Sequence, residues 1–123
     1  MPQSANSSSI LTRYKEGDRS FVFLDLDDTN HDYSGATLAE ADFTGCFITA
    51  SFLGANLEGA IFKDANVKTC DFTGANLQGA SFEGSAIDGA VFVGANLKGA
   101  SFLGASEQGR VYQAGELPLY DAP

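Results

Sequence analysis

The sequence has few of the residues from which most catalytic and metal sites are built. Among its 123 residues it has one histidine (His31), two cysteines and one methionine. A single histidine excludes most metal-binding clusters and acid–base pairs, because imidazole is the common ligand and proton carrier near neutral pH. No Ser-His-Asp, Cys-His or phosphate-loop arrangement can be assembled from the other residues. We therefore expect no enzymatic activity, no cofactor and no metal ion.

Basic residues and long apolar runs are also scarce. Seven Lys and Arg residues stand against sixteen Asp and Glu residues, which gives a net charge of −9. Such a balance argues against binding to nucleic acid. No apolar run approaches the length of a membrane span, and the first residues lack the basic and apolar regions of a signal peptide. We expect a cytoplasmic protein of one domain that binds neither nucleic acid nor membrane.

Against these absences stands a strict repeat of five residues. From Phe52 to Phe102 a bulky apolar residue occupies every fifth position, and the residue two places earlier is Ala, Cys or Ser. A period of five fits neither a helix nor a strand. When the bulky residues are grouped at intervals of twenty positions, they form four series of similar residues, which predicts that four pentapeptides make one coil. We call these series rows: row one is Tyr33, Phe52, Phe72 and Phe92; row two is Leu38, Leu57, Leu77 and Leu97; row three is Phe43, Phe62, Phe82 and Phe102; row four is Ile48, Val67 and Ile87.

The rows predict a solenoid with an apolar interior. Each side of a coil contributes one large inward residue, and stacked coils place equivalent residues about 4.8 Å apart, the spacing of paired strands. Glycine stands two places after most row residues, where a type II turn needs positive φ. Asp64 and Thr69 occupy the same slot, and threonine tolerates positive φ poorly, so we expect type I or irregular turns there. One residue is missing between Ile48 and Phe52, and row four ends in a carboxylate, Glu107, which we expect to face solvent.

Both ends of such a stack need caps. A short helix is predicted from Ser7–Ser9 to a stop at Gly17, after a polar, unstructured start at residues 1–6. At the other end Tyr112, Leu117, Leu119 and Tyr120 can cover the last coil. The expected boundaries within one structural domain are residues 1–20 for the tail and helical cap, 21–109 for the repeats, and 110–123 for the irregular C-terminal cap.

Three blocks carry a family resemblance: residues 55–59 (ANLEG), 75–79 (ANLQG) and 95–99 (ANLKG). They resemble the A(D/N)LXX motif of pentapeptide-repeat proteins, and the tandem pattern extends over residues 33–104. The resemblance implies an all-β fold, a right-handed quadrilateral parallel β-helix of about four coils. The stretch at residues 11–21 resembles the helical leader of small cyanobacterial members. For function, the resemblance implies a rigid protein-interaction or scaffold module without enzymatic activity.

Other motifs have simpler interpretations within the repeat. The sequence FVFLDLDDT at residues 21–29 resembles the strand and DxDxT motif of haloacid-dehalogenase-like phosphatases, with Asp25 and Asp27 as the catalytic pair. That chemistry needs a much longer α/β domain, so we expect Phe21 and Leu26 to point inward and the carboxylates outward. The same stretch lacks the Gly and distal Glu of a calcium loop. Cys46 and Cys70 occupy small inward positions on different sides and coils, which predicts two buried thiols and no disulfide.

The acidic surface suggests a second function. Some pentapeptide-repeat proteins confer quinolone resistance by engaging DNA gyrase as mimics of duplex DNA, which makes an acidic inhibitor of a DNA-binding enzyme the alternative to a scaffold. Residues 33–107 hold eight acidic residues against Lys63, Lys68 and Lys98, a net charge of −5. This density is low for a DNA mimic.

The outward positions of row one offer a docking surface. Leu53, Val91, Val93 and Val111 are predicted to point outward around Thr73. An exposed apolar row on a sheet face is typical of an interaction site. The partner is expected to be another protein, with a monomer favoured over a homodimer.

Overall fold

The computed structural model describes residues 3–4 and 7–118, so the predicted cap residues Leu119 and Tyr120 lie outside it. Within the described residues the chain forms short elements joined by turns. Most of the repeat consists of isolated parallel bridges rather than long strands. The named elements are β1 (Gln3–Ser4), α1 (Ser7–Lys15), β2 (Leu24–Asp32), β3 (Phe47–Ser51), β4 (Ser106–Glu107) and β5 (Arg110–Val111).

Parallel bridges connect residues that are twenty positions apart. Examples are Ser51 with Asp71, and Asp71 with Val91. Backbone hydrogen bonds flank these bridges and recur every twenty residues: the N–H of Phe52 donates to the carbonyl of Asp71 (2.7 Å), and the N–H of Phe72 donates to that of Val91 (2.7 Å). Each pentapeptide is thus paired to its equivalent in the next coil, as the period of twenty predicts.

The missing residue appears as a change in this spacing. The bridges that start at Thr37, Asp42 and Phe47 join residues nineteen apart, as in Thr37 with Asn56 and Phe47 with Asn66. β3 is a continuous strand at the position where the following coil has a turn at Lys68 and Thr69. The sequence therefore located the irregular coil correctly.

β2 carries an irregularity that the sequence did not predict. It pairs in parallel with β3, first as Leu26 opposite Ile48 and then as His31 opposite Ala50. Between these pairs β2 advances five residues and β3 only two, so β2 contains three extra residues. Phe21 and Leu26 are fully buried, as expected for inward residues of the opening coil.

The core consists of stacked side chains, with the phenylalanines in two ladders. In row one the Phe52 and Phe72 ring centroids are 5.1 Å apart, and in row three those of Phe62 and Phe82 are 4.8 Å apart. The two ladders also meet edge to face, as between Phe72 and Phe82 (5.4 Å, 87°). All row residues are buried except Leu97 near the C-terminal end, which is partly buried and packs against the core.

The predicted change of turn at Asp64 and Thr69 is wrong. Asp64 has φ 57° and Thr69 has φ 63°, close to the φ of 72° at Gly84 in the next coil. Their N–H groups donate to the carbonyls of Glu83 (2.9 Å) and Asp88 (3.0 Å), so the turn geometry is held by pairing to the next coil. The left-handed backbone conformation costs a non-glycine residue roughly 1–2 kcal/mol, and the inter-coil hydrogen bonds compensate for this cost.

The N-terminal end is covered by α1 and by an unexpected strand. α1 begins at Ser7 and ends at Lys15, where the sequence places it, and it buries Ile10 completely. Gly17 has φ 103° and its N–H donates to the carbonyl of Tyr14 (3.0 Å), which ends the helix. β1 pairs in parallel with β2 at Leu24 and Asp25. The prediction of an unstructured start is therefore wrong for Gln3–Ser4.

At the C-terminal end the chain reverses. β4 pairs with β5 in an antiparallel hairpin whose turn residues, Gln108 and Gly109, both have positive φ, as a type I′ turn requires. Glu107 is half-buried and accepts a hydrogen bond from the Tyr112 hydroxyl (2.7 Å), so it does not simply face solvent. The Tyr112 ring lies 6.1 Å from that of Phe102 and caps row three.

Candidate functional site

The outer face of row one is built from two adjacent columns. Ser51, Asp71 and Val91 are bridged in one column. The other column contains the residues that directly follow the row-one phenylalanines, namely Leu53, Thr73 and Val93. Hydrogen bonds between coils hold this column: the N–H of Gly54 donates to the carbonyl of Thr73, and the N–H of Gly74 donates to that of Val93 (2.8 Å each). The exposed fractions of Leu53, Val93 and Val91 are 49%, 41% and 37%. The structure thus brings three of the four residues predicted for this surface, Leu53, Val91 and Val93, onto one face.

Two polar residues on this face, Asp71 and Thr73, are hydrogen-bonded to each other. One oxygen of the Asp71 carboxylate accepts hydrogen bonds from the Thr73 N–H (2.9 Å) and from the Thr73 hydroxyl. These internal bonds lower the cost of covering the pair with another surface. Val111, predicted for the same face, lies elsewhere: it is the partner of Ser106 in the hairpin, because the chain reverses after Glu107.

The acidic stretch of β2 does not have the setting of the phosphatase motif. Asp25 and Asp27 lie on a strand paired to β1 and β3, and one oxygen of Asp25 accepts the N–H of Asp27 (3.0 Å). A carboxylate oxygen of Asp27 accepts the hydroxyl of Thr49. Two surface clefts, one lined by Leu11 and Tyr14 and the other by Arg110, are not lined by either aspartate. Among the described residues, no group of three His, Cys, Asp or Glu side chains is placed to hold a metal ion.

Two exposed phenylalanines, Phe23 and Phe47, were not predicted from the sequence. Phe23 is 60% exposed with φ 56°, and Phe47 is 44% exposed. A signal for Phe23 was present in the sequence, because it stands two residues after Phe21, in the slot that holds glycine in most pentapeptides. Phe47 immediately precedes the row-four residue Ile48, in an outward position.

The repeat sequence itself decides the family. A family model described as pentapeptide repeats matches eight copies, over residues 32–74, 50–85 and 75–106, which together cover more than half of the chain. The chain belongs to the pentapeptide-repeat family. No curated protein matches this pentapeptide-repeat protein.

Solved structures of pentapeptide repeat proteins have a similar fold. HetL, involved in heterocyst differentiation regulation in the cyanobacterium Nostoc sp. strain PCC 7120, is 25% identical, with a TM-score of 0.48 over 76% of this chain and 49% of HetL. A trypsin-treated variant of QnrB1, a plasmid-mediated fluoroquinolone resistance protein, is 29% identical, with a TM-score of 0.50 over 72% of this chain and 40% of QnrB1. A second Nostoc protein, alr5209, is 22% identical, with a TM-score of 0.49 over 94% of this chain and 91% of its own. The chain thus spans about half of HetL and less of QnrB1.

The two cysteines of this pentapeptide-repeat protein are free, buried thiols, as predicted. The Cys46 thiol donates to the carbonyl of Phe21 (2.8 Å), and the Cys70 thiol donates to that of Ile48 (3.3 Å). Burial raises the pKa of Cys46 to about 11 and that of Cys70 to about 12. Thiols with raised pKa values carry little reactive thiolate at neutral pH.

The one named helix, α1, is short. α1 has nine residues, and no helix in residues 7–118 has the length and apolarity to cross a membrane.

Proposed function

We propose that this pentapeptide-repeat protein is a non-enzymatic, rigid interaction module that docks a partner protein through Leu53, Val91 and Val93. The observation that carries the proposal is the exposure of these three side chains on one hydrogen-bonded face. A face held by inter-coil hydrogen bonds is ordered before binding, so little conformational entropy is lost when a partner covers it. We place the protein in the cytoplasm as a monomer, since its net charge of −9 opposes self-association.

The architecture that we propose for this module is a right-handed, quadrilateral β-helix of about four coils. The support is the four bridges in each twenty-residue coil, such as those that start at Ser51, Asn56, Ile61 and Asn66. Four short sides with four corners would leave each outer face narrow and straight, which suits an extended partner surface.

The docking proposal is tested by affinity capture from the organism that encodes the chain. The test variant changes Leu53 and Val93 to Asp, and the matched control changes Leu103, an exposed leucine next to the row-three residue Phe102, to Asp. We expect a partner to be retained by the wild type and by Leu103→Asp, and lost with the double variant. An unaltered far-UV circular dichroism spectrum would show that the double variant is folded. If it captured the same proteins as the wild type, the row-one surface would be excluded.

The alternative function is inhibition of a DNA-binding enzyme through an acidic surface. It is favoured by the net charge and by the likeness to QnrB1, a fluoroquinolone resistance protein, at a TM-score of 0.50. The likeness covers only 40% of QnrB1, and the three lysines of the repeat region interrupt the acidic surface. A supercoiling assay with DNA gyrase separates the two functions: inhibition by micromolar protein would support the alternative, and unchanged supercoiling would exclude it for gyrase.

A further inference from the structure

The opening coil, residues 7–32, is paired to the next coil beside rows one, three and four, but not beside row two. Ser20 is bridged to Asp42 beside row three, and β2 pairs with β3 beside rows four and one. Among the described residues, Thr37 beside row two is bridged to Asn56 of the following coil and to no residue of the opening coil. The backbone pairing that joins the inner coils is therefore incomplete at this end of the stack.

The helix α1 lies beside row two instead of a paired pentapeptide. The Tyr14 hydroxyl donates to the carbonyl of Ala39 (2.9 Å), and the Arg19 guanidinium lies 3.6 Å from the centre of the Tyr14 ring. A surface cleft lined by Leu11, Tyr14 and Thr37 separates part of the helix from the repeat. On this side the opening coil is thus held by a side-chain hydrogen bond and by partial packing.

Two features weaken the attachment on the other sides. Phe23 has φ 56°, a strained backbone conformation that is held by the hydrogen bond from its N–H to the carbonyl of Thr44 (2.9 Å). In β2 the three extra residues between Leu26 and His31 interrupt the pairing with β3. This interruption separates the part of β2 that pairs with β1 from the part that continues into row one.

The two buried thiols lie at different depths below this end of the stack. The Cys46 thiol donates to the carbonyl of Phe21 in the opening coil (2.8 Å), and the Cys70 thiol donates to that of Ile48 in the coil after it (3.3 Å). The opening coil therefore covers Cys46, whereas Cys70 is covered by the coil that contains β3. Displacement of the opening coil alone would expose the first thiol and leave the second one buried.

We infer that residues 7–26 form a hinged cap, which lifts from the stack as a unit while the remaining coils stay folded. The hinge is the interrupted part of β2, residues 27–30. Lifting breaks the hydrogen bond between Tyr14 and Ala39 and exposes Cys46. A terminal unit of a solenoid can open separately because each coil contacts only its neighbours.

Lifting of the cap changes the groups that the end of the stack presents to solvent. In the closed cap the Phe21 ring stacks on that of Phe43 (5.6 Å), and the N–H groups of Phe21 and Phe23 donate to the carbonyls of Asp42 (2.8 Å) and Thr44 (2.9 Å). In the open form the Phe43 ring and both carbonyls are uncovered, and unpaired groups at a strand edge are available for pairing. The closed cap therefore blocks this edge, and its lifting controls access to it.

Thiol alkylation of the wild-type chain measures the opening. The protein is incubated with iodoacetamide at about pH 8, near the ordinary pKa of a thiol. Tryptic peptides 20–63 and 69–98 then report on Cys46 and Cys70 separately, and the unfolded chain supplies the intrinsic rates. We expect Cys46 to react at least about tenfold faster than Cys70, with a weaker dependence on urea, because partial opening exposes less surface than global unfolding.

The key variant is Tyr14→Phe, which keeps the ring and removes the hydroxyl that holds α1. Loss of this hydrogen bond should raise the alkylation rate of Cys46 roughly fivefold and change that of Cys70 less than about twofold. The matched control is Tyr112→Phe, which removes the hydrogen bond from the Tyr112 hydroxyl to Glu107 (2.7 Å) at the opposite end and should leave the Cys46 rate unchanged.

Three results would overturn the inference. The first is an equal rate and an equal urea dependence for the two thiols of the wild type. The second is the same Cys46 rate in Tyr14→Phe as in the wild type. The third is an equal rise for both thiols in Tyr14→Phe, which would show that the hydroxyl stabilises the whole stack and not the cap.

Discussion

The Tyr33 ring stacks on the Phe52 ring, with centroids 5.2 Å apart, and so extends the row-one ladder towards the N-terminal end. The Tyr33 hydroxyl is buried and has no hydrogen-bond partner among the described residues. Burial also raises the pKa of this hydroxyl far above its usual range. The ring stabilises the ladder, whereas the hydroxyl opposes it.

Replacement of Tyr33 by Phe is therefore expected to increase the free energy of unfolding by about 1 kcal/mol, because a buried polar group without a partner is removed. Urea denaturation at neutral pH measures the change. A decrease of similar size would mean that the hydroxyl is bound, for instance by a buried water molecule.

Replacement of Phe72 by Ala tests the middle of the core. Its ring stacks between those of Phe52 (5.1 Å) and Phe92 (5.1 Å), and it also meets Phe62 and Phe82 edge to face. Truncation leaves a cavity with neighbours on several sides, and we expect a loss of about 3–5 kcal/mol in the free energy of unfolding. Denaturant titration is the measurement, and a loss below about 1 kcal/mol would contradict the assignment of Phe72 to the core.

Two substitutions at the corners of the coils are expected to change the stability in opposite directions. Thr69→Gly should raise the free energy of unfolding by about 1 kcal/mol, since it relieves a φ of 63° at an exposed threonine. Gly79→Val should lower it, because a β-branched residue is placed at φ 70°. Thermal denaturation of both variants and the wild type gives the order. A more stable Gly79→Val variant would contradict the requirement for positive φ at this corner.

The buried thiols predict a loss of stability at alkaline pH. Well below pH 9, the ordinary pKa of a thiol, the thiols of the folded and unfolded chains are both protonated and make no pH-dependent contribution to stability. As the pH rises towards the folded-state pKa values of about 11 for Cys46 and about 12 for Cys70, the unfolded chain loses protons that the folded chain retains. Unfolding is therefore favoured.

Urea denaturation under reducing conditions, at pH 8 and pH 10.5, measures this effect. The control is the double variant Cys46→Ala and Cys70→Ala, which places alanine where most other pentapeptides have it. We expect a smaller loss of stability between the two pH values in this variant. An equal loss would assign the pH dependence to other groups, such as Tyr33.

The sequence predicted the core well because the core is what the repeat encodes. Phe72 and Phe82 recur at fixed spacing, and the nineteen-residue coil before Phe52 was visible as one missing position. Interactions that depend on inter-coil pairing were not predictable from local preference. Thr69 adopts positive φ because its N–H is bonded to the next coil, and Gln3–Ser4 pairs with β2 although its own sequence is polar.

The exposed apolar side chains were predicted only in part. Leu53 and Val93 follow from the repeat, because their outward positions can be counted from the core residues. Phe23 was not predicted, because it lies in the irregular opening coil and fills a corner slot that holds glycine in most pentapeptides. Val111 was predicted on the wrong face because counting by twenties assumes that the chain continues into another parallel coil. The β4–β5 hairpin reverses the chain instead.

The β4–β5 hairpin affects whether another molecule can pair with the last coil. A solenoid that ends in an open coil offers unpaired strand edges onto which another molecule can add, and repeated addition produces a fibre. Here the chain places β5 antiparallel beside β4 at the edge that an incoming parallel coil would use. The hairpin therefore covers the edge of β4, and an added coil could not continue the parallel pairing on this side of the stack.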